Sequence, residues 1–170
     1  MNKLSQSLFL LLMIVGCFNI SWKEKDPVLL NLNQNKWISN CSSVLTDDAS
    51  MYANHPAPLF RREFVVEAAK IKKATLYITA AGYYKATLNG ERIGDIYLDP
   101  AWTTFSKRIY YTEYDLTSSL KKGANCLGVA LGNGFYNPLP MRFWGTYNLR
   151  NALPTGIPVF TARLVVEYTN

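Results

Sequence analysis

An Asn-Gly pair at positions 89–90 constrains the fold of this chain more than any other feature, because strand-like residues lie on both sides of it. Asn-Gly is the strongest short signal for a β-hairpin, since both central residues of a type I′ turn need a positive φ angle. Before the pair, Tyr84, Ala86 and Leu88 alternate with more polar neighbours, as one face of a half-buried strand does. The stretch therefore predicts two antiparallel strands joined by a tight turn.

From Pro58 onwards, the chain repeats this pattern of short strands and turns. The run SSLKKGAN is expected to be a helical turn or loop closed by Gly123, and no segment carries an amphipathic helix longer than two turns. Short strands with frequent turn signals and no long helix are typical of an all-β antiparallel sandwich, and we expect a jelly roll. The predicted strands lie in the segments 58–67, 71–80, 84–98, 108–117, 126–133 and 156–170.

Composition agrees with one folded domain and excludes some partners. The 170 residues are 49% hydrophobic and 18% charged, which is typical of a globular chain with a real core. The formal charge of +6 comes from basic residues that are scattered singly or in pairs. Without a basic stripe or a known motif, we expect no nucleic-acid partner.

The first 17 residues have the features of an export signal. Lys3 precedes an apolar run from Leu8 to Val15, which is too short to span a bilayer but fits a signal peptide. The run ends in IVGC, which resembles a bacterial lipobox and predicts cleavage before a lipidated Cys17. An ordinary secretory signal with a chance cysteine is the alternative. The predicted divisions are a signal peptide over 1–17, a tether over 18–35 and a β-sandwich over 36–170.

Export and lipidation together would place the protein on a bacterial membrane, facing the periplasm or the cell surface. Two further cysteines, Cys41 and Cys126, could pair in an oxidising compartment, or Cys126 could serve as a small core residue of a strand. His55 is the only histidine, and no Cys-x-x-Cys motif is present, so we expect no zinc site.

The loop LGNGFYNPLPMRFWG, residues 131–145, is the most site-like stretch of the chain. It combines amide side chains and backbone carbonyls with aromatic rings, and sugars use both: their CH faces stack on rings while their hydroxyls bond amides. Carbonyl and amide oxygens are also calcium ligands, which makes Asn133 and Pro138 candidates for a calcium site, although no cofactor is required. The candidate sugar-binding residues are Trp102, Asn133, Tyr136, Asn137 and Trp144.

Four blocks, LFRREF, GYYKATLNGERIGD, LDPAWTTFSKRIYYTEYDLT and LKKGANCLGVALGNGFY, together resemble the N-terminal β-sandwich module of bacterial α-L-rhamnosidases. The resemblance covers roughly residues 37–170. Shorter elements, such as NG-x-x-x-G, also resemble the sugar-binding domain of β-galactosidases and β-glucuronidases, which has the same galactose-binding-like jelly roll. The resemblance implies a module of a large inverting glycosidase whose catalytic carboxylates lie in a separate helical barrel.

Catalysis by this segment itself is not expected. Inverting hydrolysis needs two carboxyl groups across the sugar, whereas here the acids are dispersed, with Asp95 and Asp115 at turns. The resemblance implies a non-catalytic carbohydrate-recognition or structural module from a partial chain, with rhamnose-containing glycans, with or without calcium, and a downstream catalytic domain as partners. A standalone carbohydrate-binding or surface-adhesion lipoprotein and a structural spacer are the alternatives. The 131–145 loop would then either bind sugar or pack against the catalytic barrel.

Overall fold

Antiparallel strands are the main regular structure of the computed structural model, which describes residues 36–40, 47–67 and 70–169. The predicted signal peptide with Cys17, the tether and Cys41 lie outside the described residues. The described residues contain one short helix, α1 (Asp48–Tyr52), and none long and apolar enough to cross a bilayer. The strands are β1 (Leu59–Val66), β2 (Ile71–Ala81), β3 (Tyr83–Leu88), β4 (Glu91–Arg92), β5 (Thr112–Asp115), β6 (Gly123–Gly132), β7 (Arg142–Phe143), β8 (Tyr147–Asn148) and β9 (Val159–Tyr168).

Two antiparallel sheets enclose one apolar core, and they form a β-sandwich. The first sheet has the order β1-β6-β3-β4 and the second has the order β5-β2-β9, while β7 and β8 form a separate hairpin. Both sheets contribute to the core: Leu76 and Ile78 come from β2, Ala86 from β3 and Leu131 from β6. At one side the sheets meet through the rings of Phe60 and Phe160, whose centroids are 5.1 Å apart. The predicted all-β antiparallel class is confirmed.

The predicted Asn-Gly hairpin is present. Asn89 and Gly90 have φ angles of 54° and 91°, and they join β3 to β4, with Leu88 paired to Glu91. The Asn89 side chain also connects the turn to β6, because its Oδ1 accepts a hydrogen bond from the Cys126 N–H at 2.9 Å. As predicted, Tyr84, Ala86 and Leu88 form the buried face of β3.

Strand β2 differs from the half-buried strand that its alternation predicts. Its second face is also buried, since Thr75, Tyr77 and Thr79 are all less than 8% exposed. The segment before β5 covers this face: the Tyr77 ring lies 6.4 Å from that of Tyr111, and the Thr79 hydroxyl donates to the Tyr110 carbonyl. The second face is therefore buried by chain from another part of the fold.

Strand β5 is shorter than the segment 108–117 suggests, because regular pairing with β2 begins only at Thr112. Asp115 ends the strand and caps the following turn, as its position predicts: its Oδ1 accepts from the backbone N–H of Thr117 at 2.9 Å. The hydrogen bonds from Thr117 lower the pKa of the Asp115 carboxyl. The predicted helical turn is present, with the Leu120 N–H donating to the Leu116 carbonyl. It ends before Gly123, because residues 123–125 already belong to β6, which begins three residues earlier than predicted.

Candidate functional site

The 131–145 loop begins where β6 ends and forms two distinct structures. Immediately after β6, Asn133 precedes a single 3-10 turn, Gly134–Tyr136, in which Gly134 has a φ of 51°. Further along, β7 and β8 form a small hairpin whose tip carries Trp144. The 3-10 turn and the hairpin present different sets of the predicted site residues.

A cavity of about 450 Å³ lies beside the 3-10 turn, within the usual volume range of small-ligand sites. Three of the predicted residues, Asn133, Asn137 and Pro138, line it together. Polar and apolar groups alternate around its wall, which also includes Asn40, Met51, His55, Pro56, Pro58, Leu131, Leu139 and Ile157. The cavity therefore combines the amides that the loop sequence suggested with apolar surface from two other segments, 51–58 and 156–157.

Hydrogen bonds hold the amides of the cavity in place. The Asn137 Nδ2 donates to Asn133 Oδ1 at 3.1 Å, and the Asn137 N–H donates to the Asn133 carbonyl at the same distance. On the opposite wall, His55 Nε2 lies 2.6 Å from the Ser50 carbonyl oxygen. Since a carbonyl oxygen only accepts, Nε2 carries the proton, and in the neutral ring Nδ1 is left as an acceptor.

A buried arginine holds the Asn137–Pro138 part of the cavity wall in place. Arg150 is only 5% exposed, and its guanidinium donates to the Pro138 carbonyl and, at 2.8 Å, to Asn137 Oδ1. Burial lowers the pKa of this guanidinium from its ordinary value, but an arginine stays charged at neutral pH. Within the described part of the chain, the ion pairs are Arg61–Glu63 and Arg142–Asp48, and neither involves Arg150.

The donor set around Asn133 and Pro138 does not fit a calcium ion. The Pro138 carbonyl, which was to be one of the ligands, already accepts from a positively charged group, and Asn133 Oδ1 accepts from Asn137. Calcium requires six to eight free oxygen ligands and favours carboxylates. A guanidinium beside the proposed cage repels a cation instead. The described residues also contain no group of three or more His, Cys, Asp or Glu side chains that could hold a metal.

Two pairs of aromatic rings pack at the 3-10 turn. Trp102 packs against Phe135, with ring centroids 5.1 Å apart and an interplanar angle of 32°, and both rings remain about half exposed. Tyr136 meets Phe105 edge to face, also at 5.1 Å. The turn therefore carries two amides of the cavity wall, Asn133 and Asn137, together with the partly exposed Phe135 ring that contacts Trp102.

Trp144 stands apart from this arrangement. It is 93% exposed at the tip of the β7–β8 hairpin, and its ring contact is with the neighbouring Phe143, at 6.1 Å between centroids. The structure thus brings Asn133, Tyr136 and Asn137 to one turn, with Trp102 packed onto it through Phe135, but does not place Trp144 among them.

A buried carboxylate fixes the segment that carries Trp102. Asp99 Oδ2 accepts hydrogen bonds from the hydroxyls of Tyr84, Thr112 (2.7 Å) and Tyr114 (3.0 Å), and the Asp99 carbonyl accepts from the Tyr84 N–H. Burial, together with the hydrogen bond to Asp99, raises the pKa of the Tyr84 hydroxyl well above its ordinary value. Tyr84 therefore stays protonated and remains a donor.

Three contributors to this region are not among the candidate residues chosen from the sequence. Phe135 is a ring partner of Trp102, His55 lines the cavity, and Arg150 braces the Asn137–Pro138 backbone. A sequence signal for Arg150 does exist, because it is the one charged residue between positions 143 and 162. A lone charge in such a stretch indicates a buried, hydrogen-bonded group.

A family model and the curated relatives both relate this chain to α-L-rhamnosidases. The family model of the α-L-rhamnosidase N-terminal domain matches residues 69–170, which is more than half of the chain. An α-L-rhamnosidase of Alteromonas sp. (strain LOR) is 40% identical over 157 residues, a match that covers 88% of this chain but 16% of the relative. The chain spans between 7% and 16% of the length of the curated relatives it matches.

Solved structures show the same relationship. The crystal structure of Streptomyces avermitilis α-L-rhamnosidase complexed with L-rhamnose superposes with a TM-score of 0.56 and 37% identity, over 66% of this chain and 10% of that one. The native enzyme of Aspergillus terreus gives a TM-score of 0.60 and 32% identity, over 76% of this chain and 14% of that one. The chain therefore belongs to the family of α-L-rhamnosidase N-terminal domains.

Proposed function

We propose that this domain is a non-catalytic carbohydrate-recognition module of an α-L-rhamnosidase-like glycoside hydrolase. The observation that supports the proposal best is the amide-lined cavity beside a half-exposed Trp102–Phe135 pair. Asn133 and Asn137 offer amide N–H donors to sugar hydroxyls, His55 offers an acceptor, and the rings offer flat apolar surface for a sugar face. A rhamnose-containing glycan is the proposed ligand, because the relatives of this chain are α-L-rhamnosidases. The proposed architecture is the galactose-binding-like jelly roll, which the two-sheet arrangement supports.

The proposed binding is weak and independent of calcium. One sugar face on one aromatic ring contributes about 1 kcal/mol, by analogy with aromatic pairs. Without many additional hydrogen bonds, this corresponds to a dissociation constant in the high micromolar to millimolar range. Calcium is not required in this proposal, because the positively charged Arg150 guanidinium at the Pro138 carbonyl would repel a cation.

Titration calorimetry or ligand-observed NMR with L-rhamnose, with and without calcium, tests this proposal. We expect Asn133→Ala and Trp102→Ala each to weaken binding about fivefold, since each removes a contact worth about 1 kcal/mol. Trp144→Ala is expected to have a smaller effect, because Trp144 lies away from the cavity. Matched controls are Asn151→Ala and Tyr97→Ala, which remove an exposed amide and an exposed ring that do not line the cavity.

Binding that is unchanged in the Asn133→Ala/Trp102→Ala double variant would remove this site from the proposal. No binding at millimolar sugar would favour a docking role instead, in which the exposed rings are covered by other parts of an α-L-rhamnosidase. The specific observation in favour of docking is a run of three exposed apolar residues, Ile96, Tyr97 and Leu98, next to the Trp102 segment. If the domain has this docking role, the isolated chain is expected to self-associate through these exposed apolar residues.

We also propose that the protein is exported and anchored through a lipid on Cys17. The support is the sequence IVGC after an apolar run of signal-peptide length. Cys17→Ser is expected to abolish partitioning into the detergent phase and sensitivity of processing to globomycin, whereas Cys41→Ser, as the matched control, should change neither. A Cys17→Ser protein that is processed and membrane-bound as before would contradict the anchor.

A further inference from the structure

Strand β1 lies at one edge of the four-stranded sheet and has an unusual outward face. Among the described residues, β1 pairs with β6 alone. Leu59 and Val65 are 81% and 78% exposed, although both are apolar and lie in regular strand. Between them on the same face are Arg61 and Glu63, which form an exposed ion pair along the strand. An edge strand of this kind is a ready site for pairing with another strand.

The order of these four residues is complementary to itself. When two copies of β1 lie antiparallel with Arg62 on the two-fold axis, each residue i faces residue 124 − i of the other copy. Leu59 then faces Val65, and Arg61 faces Glu63. Because of the two-fold axis each pair occurs twice, so the outward face forms two apolar pairs and two ion pairs between the copies. Directly opposed pairs of these kinds stabilise a sheet, whereas like charges destabilise it. Shifting the register by two residues would place Arg61 or Glu63 opposite its own copy instead.

The inward face of β1 adds apolar contact in the same register. Phe60 of one copy faces Phe64 of the other, at the mouth of an apolar groove of about 320 Å³ between the two sheets. The groove is lined by Arg62, Phe64, Val65, Val66, Leu127, Ala162, Leu164, Val166 and Tyr168. Arg62 is the one unfavourable position, since it faces its own copy across the axis. That repulsion limits the affinity of the pairing.

We propose that the partner of this edge is a second copy of the chain, joined β1 to β1 in the register centred on Arg62. The two four-stranded sheets become one continuous sheet across a two-fold axis, which is the most common symmetry of homo-oligomers. Backbone hydrogen bonds supply the attraction, and the Arg61–Glu63 pairs select the register. The residues that form this pairing are different from those that line the proposed sugar-binding cavity.

Cysteine crosslinking of the 170-residue chain in mild detergent tests the register directly. In this pairing the two Cα atoms at position 62 lie about 4.5–5.5 Å apart, within the range of a disulfide. We therefore expect Arg62→Cys to form a disulfide-linked dimer on mild oxidation. Glu63→Cys is the matched control, because two residues 63 are separated by about 8 Å and face different partners. The chain without an added cysteine gives the background level of disulfide crosslinking through Cys17, Cys41 and Cys126.

Charge reversal tests the same pairing without oxidation. Glu63→Arg replaces two attractive cross-strand pairs by two repulsive ones, and should weaken dimerisation, followed by light scattering, about tenfold or more. The swap Arg61→Glu/Glu63→Arg restores both pairs and should return the affinity to within about threefold of the original. Equal crosslinking at positions 62 and 63, a chain that is monomeric at all concentrations, or a swap as weak as the single variant would each overturn the proposal.

Discussion

Replacing Asp99 by alanine is expected to lower the free energy of unfolding by about 3–5 kcal/mol, which is a large part of the stability of a domain of this size. The Asp99 carboxylate accepts from the hydroxyls of Tyr84, Thr112 and Tyr114. Removing it leaves the buried Tyr84 hydroxyl and two half-buried hydroxyls without that acceptor, and an unsatisfied buried group costs about 1–3 kcal/mol. Urea denaturation followed by tyrosine and tryptophan fluorescence measures the change.

Two variants separate this effect from a general loss of a carboxylate. Asp95→Ala removes an exposed acid from the same loop and should change the free energy of unfolding by less than about 0.5 kcal/mol. Tyr84→Phe removes one donor and leaves Thr112 and Tyr114 to bind Asp99, so a cost of about 1 kcal/mol is expected. An Asp99→Ala protein as stable as Asp95→Ala would show that the three hydroxyl bonds do not stabilise the fold.

The Asp99 cluster also connects the core with the candidate site. Tyr84 belongs to the buried face of β3, and Asp99 begins the segment that carries Trp102 and Phe105 to the 3-10 turn. A loosened Asp99 is therefore expected to reduce sugar binding at Trp102 even in the fraction of molecules that remains folded.

Local sequence signals predicted the parts of this fold that depend on neighbouring residues. Asn89 and Gly90 adopt the positive φ angles that a two-residue hairpin needs, whatever the rest of the chain does. The alternation at Tyr84, Ala86 and Leu88 likewise identifies a buried face, because side chains of a strand point to opposite sides in turn. Asp115 caps the next turn through a residue two positions away.

Features that depend on distant parts of the chain could not be predicted from local sequence patterns. The second face of β2 looks half-polar in sequence, yet Tyr77 and Thr79 are buried because residues 110–111 fold over them. Similarly, no local pattern indicates that Asp99 would meet hydroxyls from two different strands. In the site, the loop composition identified Asn133 and Asn137, whereas His55 reaches the same cavity from a segment more than 70 positions earlier.

A close approach of two backbone segments at Gly82 determines where the candidate site lies. Gly82 separates β2 from β3 and has a φ of 118°, which side chains rarely permit. A Cβ atom at this position would be 2.5 Å from the Gly132 carbonyl oxygen and 3.4 Å from the Asn133 carbonyl oxygen. On the other side of the contact, a Cβ atom at Gly134 would be 3.1 Å from the Gly82 carbonyl carbon. The end of β6 and the first residues of the site loop thus pack directly against the backbone of Gly82.

Gly82→Ala is therefore expected to lower the free energy of unfolding by about 3–4 kcal/mol, because backbone strain and a clash with a carbonyl group act together. Gly90→Ala is the matched control: its φ of 91° is also unfavourable for alanine, but a Cβ there meets nothing within 4 Å. Strain alone should cost the control about 1 kcal/mol. The difference between the two variants in urea denaturation measures the clash itself.

The same pair of variants tests whether the cavity is held in place by this contact. Relief of the clash requires the backbone at Gly132 and Asn133 to move, and a shift there displaces the Asn133 amide from the cavity wall. Under conditions in which both variants are folded, Gly82→Ala should bind L-rhamnose more weakly than Gly90→Ala, by an amount similar to that of Asn133→Ala. Equal stability of Gly82→Ala and Gly90→Ala would mean that β6 moves away freely, and the site would then not depend on the glycine contact.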